Sequence, residues 1–102
     1  MGTVSLENTD LSRASAFMAQ RLVWDNHGCM PYRADDFDFL PGLERYKRSG
    51  VDITSLNVGF DVKPWENTVL MLAHFRRWIR QRPDDYLLVE SVADIKEAQK
   101  SN

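Results

Sequence analysis

The chain has 102 residues, 43% hydrophobic and 27% charged, which are the proportions of one ordinary soluble domain and exclude a disordered or collagen-like chain. Thirteen Lys and Arg against fifteen Asp and Glu leave a net charge of −2, so there is no basic field and no reason to expect nucleic acid as a partner. One cysteine excludes an intrachain disulfide, and no apolar run approaches the roughly 18–20 residues of a membrane span.

The N-terminus MGTVSLENTDLSRASAF has neither a basic n-region nor an apolar h-region, and Leu6 stands where a myristoylation motif needs Ser or Thr. The expectation is a cytoplasmic protein without membrane contact. Thr9 and Asp10 can cap a first helix to about Gln20, with Leu11, Ala14, Phe17 and Met18 on its inner face. Leu22-Val23-Trp24 reads as a buried first strand that stops at the polar run Asp25-Asn26-His27-Gly28. Residues 28–39 form an Asp-rich loop broken by Pro31. Pro41 suits the first turn of a helix to Ser49, with Leu40, Leu43 and Tyr46 inward and Gly50 as its left-handed cap.

Residues 51–60, VDITSLNVGF, read as the second strand, with Val51 and Ile53 on one face and Leu56 and Val58 on the other. Pro64 opens the longest helix, whose inner positions are expected at Val69, Leu72, Phe75 or Arg76, and Ile79, and which Pro83 stops. Tyr86–Glu90 reads as a third strand. Ser91 caps a last helix with Val92, Ile95 and Ala98 inward. A helix followed by three strand–helix units predicts an α/β fold with a parallel sheet and right-handed crossovers. Three parallel strands leave two open edges, and the last helix has an apolar face with no strand after it. The expectation is the first part of a larger α/β domain.

In such folds chemistry gathers at the C-terminal ends of the strands. The first strand delivers Asp25, His27 and Cys29 there, and residues two apart on an extended segment project to one side. Imidazole and thiolate are good zinc ligands, so His27 and Cys29 can reach one metal together. The alternative is a loop histidine beside a small, half-buried cysteine that packs as a hydrophobe.

The stretch LVWDNHGCMP, then FLPGLERYKRSGVDITSLNVGF, then VESVADIKEAQKSN resembles the N-terminal quarter to third of the membrane (renal) dipeptidase family in that order. The resemblance covers about residues 21–102 and leaves 1–20 as a leader helix. It implies the first three or so βα units of a (β/α)8 TIM barrel, a zinc cofactor, and hydrolysis of a dipeptide or similar small amide by metal-activated water. A homodimer is implied too. In that family the first strand ends in D-x-H-x-D, whose His and second Asp hold one of two zinc ions.

By the resemblance His27 is a metal ligand, and Cys29 stands where the family has the second Asp. A thiolate can replace a carboxylate on zinc, with a longer bond and one ligating atom. The departure leaves open a variant zinc pair, a one-metal site or altered activity. Asp25 matches the family's leading Asp and is expected to orient His27 or to pack at the strand end. The remaining ligands, a bridging carboxylate and two histidines, are expected after Asn102, so no catalytic residue is assigned and the 102-residue piece alone is expected to be inactive. The rivals are a related amidohydrolase-type enzyme and a truncated, non-catalytic interaction module.

Other features read as structural. Asp35, Asp36 and Asp38 lack the Gly and terminal Glu of a calcium loop. Tyr32 and Arg33 lie in the first βα loop, where Arg33 could meet a substrate carboxylate or serve only the surface. His74 sits mid-helix, Arg76, Arg77, Arg80 and Arg82 suit a helix C-terminus, and Trp65, Phe75 and Trp78 read as core.

Overall fold

A computed structural model describes residues 8–29, 39–59 and 64–101. The fold is mixed α/β, with helices α1 (Asn8–Ala19), α2 (Leu43–Arg48), α3 (Trp65–Arg80) and α4 (Val92–Lys100), and strands β1 (Trp24–Gly28) and β2 (Ile53–Leu56). Two compact units divide the chain, one made of residues 1–30 and 41–57, the other of 31–40 and 58–102. No described helix is long and apolar enough to cross a membrane.

In the first unit β1 and β2 pair in parallel, with α2 in the connection between them, which makes a βαβ unit. Parallel pairing brings the ends of both strands, Gly28 and Leu56, to one side of the sheet. The first strand lies two residues later than the apolar triplet Leu22–Trp24 suggested, and it is not buried: only Gly28 is closed off from solvent. Its position is set by its partner. The Val23 carbonyl accepts from the N–H groups of Asp52 (2.9 Å) and Ile53 (3.1 Å), and the Asp52 carboxylate accepts from the Val23 N–H (2.8 Å). The ladder then runs through Trp24↔Ile53 and Asp25↔Thr54, carrying the polar residues 25–28 into the strand.

The second strand is four residues long rather than ten, and all four are half-buried. Helix α2 follows a 3-10 turn at Leu40–Gly42 that contains Pro41, and it ends as anticipated at Gly50, whose φ of +89° is the left-handed value glycine adopts freely. There the Val51 N–H returns to the Tyr46 carbonyl (3.0 Å) and the Gly50 N–H to that of Lys47 (3.2 Å). The inner face anticipated for α1 is exposed except at Met18, which is half-buried. Phe17 stays exposed with one local contact: the Arg21 guanidinium lies 3.6 Å from its ring centre and donates to the Phe17 carbonyl (3.0 Å).

In the second unit Pro64 precedes the first turn of α3, and the buried residues are Leu40, Met71 and Phe75, with Phe39 edge-on to Phe75 at 5.9 Å. The inner face of α3 therefore runs through Met71 and Phe75 rather than through Val69 and Leu72, which are 55% and 48% exposed. Trp65 is exposed, while Trp78 is half-buried against Tyr86 at 5.4 Å. The arginines are tied locally. Arg76 and Arg80 share the Glu90 carboxylate (3.1 and 3.3 Å), and Arg82 lies 3.9 Å over the Trp78 ring and donates to the Trp78 carbonyl.

Tyr86–Glu90 runs without regular structure and pairs with no strand among the described residues, so the third strand is not formed. Strand propensity needs a partner, and both ends of this segment are bonded close by. The Tyr86 N–H donates to the Arg82 carbonyl (3.0 Å), and the Glu90 N–H to the Asp94 carboxylate (2.8 Å). Leu87 and Val89 stay exposed.

Ser91 and Asp94 form a reciprocal capping box at the start of α4. Ile95 and Ala98 are half-buried, whereas Val92, expected inward, is exposed. The N–H of Glu90, then the hydroxyl and N–H of Ser91, hold the Asp94 carboxyl below its ordinary pKa of 3.8. A folded-state pKa below the unfolded one stabilises the cap above the unfolded value and is lost as pH falls through the folded value. Amide-exchange protection in the first turn of α4 is thus expected to exceed that of Asp94→Asn at neutral pH, the difference shrinking to nothing as the pH drops below 3.8. A difference that persists unchanged in acid would exclude a charged cap.

Candidate metal site

The strand ends place His27, Cys29 and Asn57 together in the first unit. The Asn57 N–H donates to the Gly28 carbonyl (3.0 Å), which fixes the residue after β2 beside the middle of the His27-Gly28-Cys29 triplet. From there its side-chain amide Nδ2 lies 3.2 Å from His27 Nε2 and donates to Cys29 Sγ at 3.7 Å. An amide NH2 has two hydrogens, one for each acceptor. With the amide nitrogen facing Nε2, the ring accepts there in the tautomer that carries its proton on Nδ1. Both expected ligand atoms therefore contact one atom, the Asn57 amide nitrogen.

The strands must come close for this to happen. A Cβ at Gly28 would collide with Thr54 Oγ1 and lie 3.0 Å from the Ser55 carbonyl oxygen, so only glycine fits between the two candidate ligands. β1 also advances three residues, Asp25 to Gly28, where β2 advances two, Thr54 to Leu56. This bulge breaks the simple alternation that would have put Asp25, His27 and Cys29 on one side. Asp25 turns its Oδ1 to the His27 backbone N–H (3.0 Å), so it orients His27 through the main chain rather than through the ring. Asn26 is held apart from the site, accepting from the Ser55 hydroxyl (3.2 Å), which itself accepts from Trp24 Nε1 (3.2 Å).

His27 and Cys29 are exposed, and Cys29 is a free thiol. Cys29 is therefore not packed as a small hydrophobe. An imidazole nitrogen and a sulfur around one side-chain amide are donors that suit a borderline-soft cation such as zinc, as part of a ligand set. Among the described residues no group of three or more His, Cys, Asp and Glu side chains comes together. Tyr32, Arg33, Asp35, Asp36 and Asp38 lie outside the described residues. His74 is half-buried in α3.

Asn57 escaped the sequence reading because a second strand expected to run to residue 60 placed it in mid-strand; the strand ends at Leu56, which puts Asn57 where chemistry gathers. Compared with protein-family models, with curated proteins and with solved structures, the chain matches none.

Proposed function

We propose that this chain carries part of the metal site of a zinc-dependent hydrolase of the membrane-dipeptidase type, with His27 and Cys29 as ligands and a dipeptide or similar small amide as substrate. The observation that carries the reading is that His27 Nε2 and Cys29 Sγ both contact the Asn57 amide at the shared C-terminal end of two parallel strands. The resemblance of residues 21–102 to that family supports it, as does a βαβ unit of the kind that begins a (β/α)8 barrel.

Zinc, when bound, supplies Lewis-acid polarisation of a scissile carbonyl and lowers the pKa of its water. The chain's own contribution is to hold two ligands. Asp25 fixes the His27 backbone, and Gly28 lets the strands approach closely enough for Asn57 to meet both donor atoms. A homodimer belongs to the same proposal.

The test is zinc affinity of the purified chain, measured by competition with a chromophoric chelator. One equivalent bound with both His27 and Cys29 required is the expected result. Dipeptide turnover is expected only once the family's further ligands, a bridging carboxylate and two histidines, are present, because these complete the two-zinc centre that the resemblance implies. Failure of the chain to hold zinc against a weak chelator overturns the reading.

A further inference from the structure

We propose that Asn57 is a third metal ligand, through its side-chain oxygen, completing a His27–Cys29–Asn57 set at the ends of β1 and β2. This presupposes that His27 and Cys29 hold a metal, as proposed above.

The distances carry the assignment. Donor atoms on one tetrahedral zinc are separated by the edges of the tetrahedron. With the usual zinc–nitrogen, zinc–oxygen and zinc–sulfur bond lengths, those edges are about 3.3 Å between nitrogen and oxygen and about 3.6 Å between sulfur and oxygen. The forward atom of the Asn57 amide lies 3.2 Å from His27 Nε2 and 3.7 Å from Cys29 Sγ. A half-turn of the amide exchanges Nδ2 for Oδ1 at that place with no change of shape. With nitrogen forward, the amide donates to both neighbours. With oxygen forward, an oxygen lone pair faces each of the other two donor atoms at ligand spacing.

The backbone keeps Asn57 there in either orientation, because its own N–H is bonded to the Gly28 carbonyl between the other two ligands. Asn57 is half-buried, whereas His27 and Cys29 are exposed, so it stands at the inner side of the site. Asp25 is engaged elsewhere, with its Oδ1 on the His27 backbone N–H.

The experiment measures zinc competition affinity of the full 102-residue chain as wild type, Asn57→Leu and Asn57→Asp. Leucine keeps the shape and removes the oxygen, and should weaken binding at least about tenfold. Aspartate replaces a neutral oxygen with a charged one at the same place, and should tighten binding by about tenfold or more.

The aspartate result separates a ligand from a residue that only orients its neighbours. A carboxylate cannot donate to Nε2 or Sγ, so loss of a purely orienting hydrogen bond would make Asn57→Asp weaker, which overturns the proposal. So does wild-type affinity in Asn57→Leu. Wild-type protein that binds no zinc would instead overturn the His27–Cys29 reading itself. Should either variant fail to fold, the wild-type chain still decides: the Asn57 13Cγ resonance is expected to shift on addition of one equivalent of zinc, and a resonance that stays in place overturns the assignment.

Discussion

Replacing His27 by alanine is expected to lower zinc affinity by two orders of magnitude or more, the largest effect of any single substitution in this chain. It removes one of two strong donors, and no other His, Cys, Asp or Glu side chain among the described residues joins them to compensate. Cys29→Ser should weaken binding by about 10–100-fold, because a neutral hydroxyl is a poor substitute for a thiolate. Cys29→Asp should retain most of the affinity, since a carboxylate oxygen binds zinc at about 2.0–2.2 Å and carries the charge the thiolate carried. Thiol chemistry gives an independent measure. Cys29 is exposed, so it should alkylate readily in the absence of zinc and be shielded by one equivalent. Unchanged zinc affinity in Cys29→Ser, with a thiol that alkylates freely in zinc-loaded protein, would remove Cys29 from the site.

The candidate site was legible in sequence as far as it depended on period and position. His27 and Cys29 are two apart at a strand end, and each touches the Asn57 amide nitrogen. Asp25 shares the same spacing but not the same destination, because the bulge between Asp25 and Gly28 arises from how β1 is paired with β2, a non-local property. Asn57 came into view only with the pairing, which sets it opposite Gly28 across 29 residues of chain.

The fold divides along the same line. Gly50, Pro64 and Ser91 each act on the turn beside them, by left-handed backbone freedom, by a missing N–H and by a hydroxyl cap, and each performs as its local chemistry requires. The strands depend on partners. Trp24–Gly28 became a strand despite its polarity because Ile53–Leu56 lies beside it, and Tyr86–Glu90 did not despite its Leu-Leu-Val run because nothing among the described residues pairs with it. The helix faces are intermediate. The periodicity of α3 is sound, but apolar residues at positions 69, 70, 71, 72 and 75 allow more than one stripe, and only packing chooses between them.

That choice can be measured by comparing two neighbours. Met71 is fully buried and Leu72 is 48% exposed, although both are large, apolar and mid-helix. Met71→Ala should cost about 2–5 kcal/mol, from lost transfer energy and the cavity left behind. Phe75→Ala, which also removes the edge-on contact with Phe39, should cost about 3–5 kcal/mol. A chain of this size has a total stability of roughly 5–15 kcal/mol, so either change takes a large share of it. Leu72→Ala should stay within about 0.5 kcal/mol, because alanine regains helix propensity where leucine loses partly solvated contacts. Val69→Ala, at a still more exposed position, should behave alike. Urea unfolding followed by tryptophan fluorescence reads all four, since half-buried Trp78 lies on the same helix. If Leu72→Ala proved as damaging as Met71→Ala, the inner face of α3 would be the one anticipated from Val69, Leu72 and Ile79, and a covering surface on that side would have to exist in the folded protein.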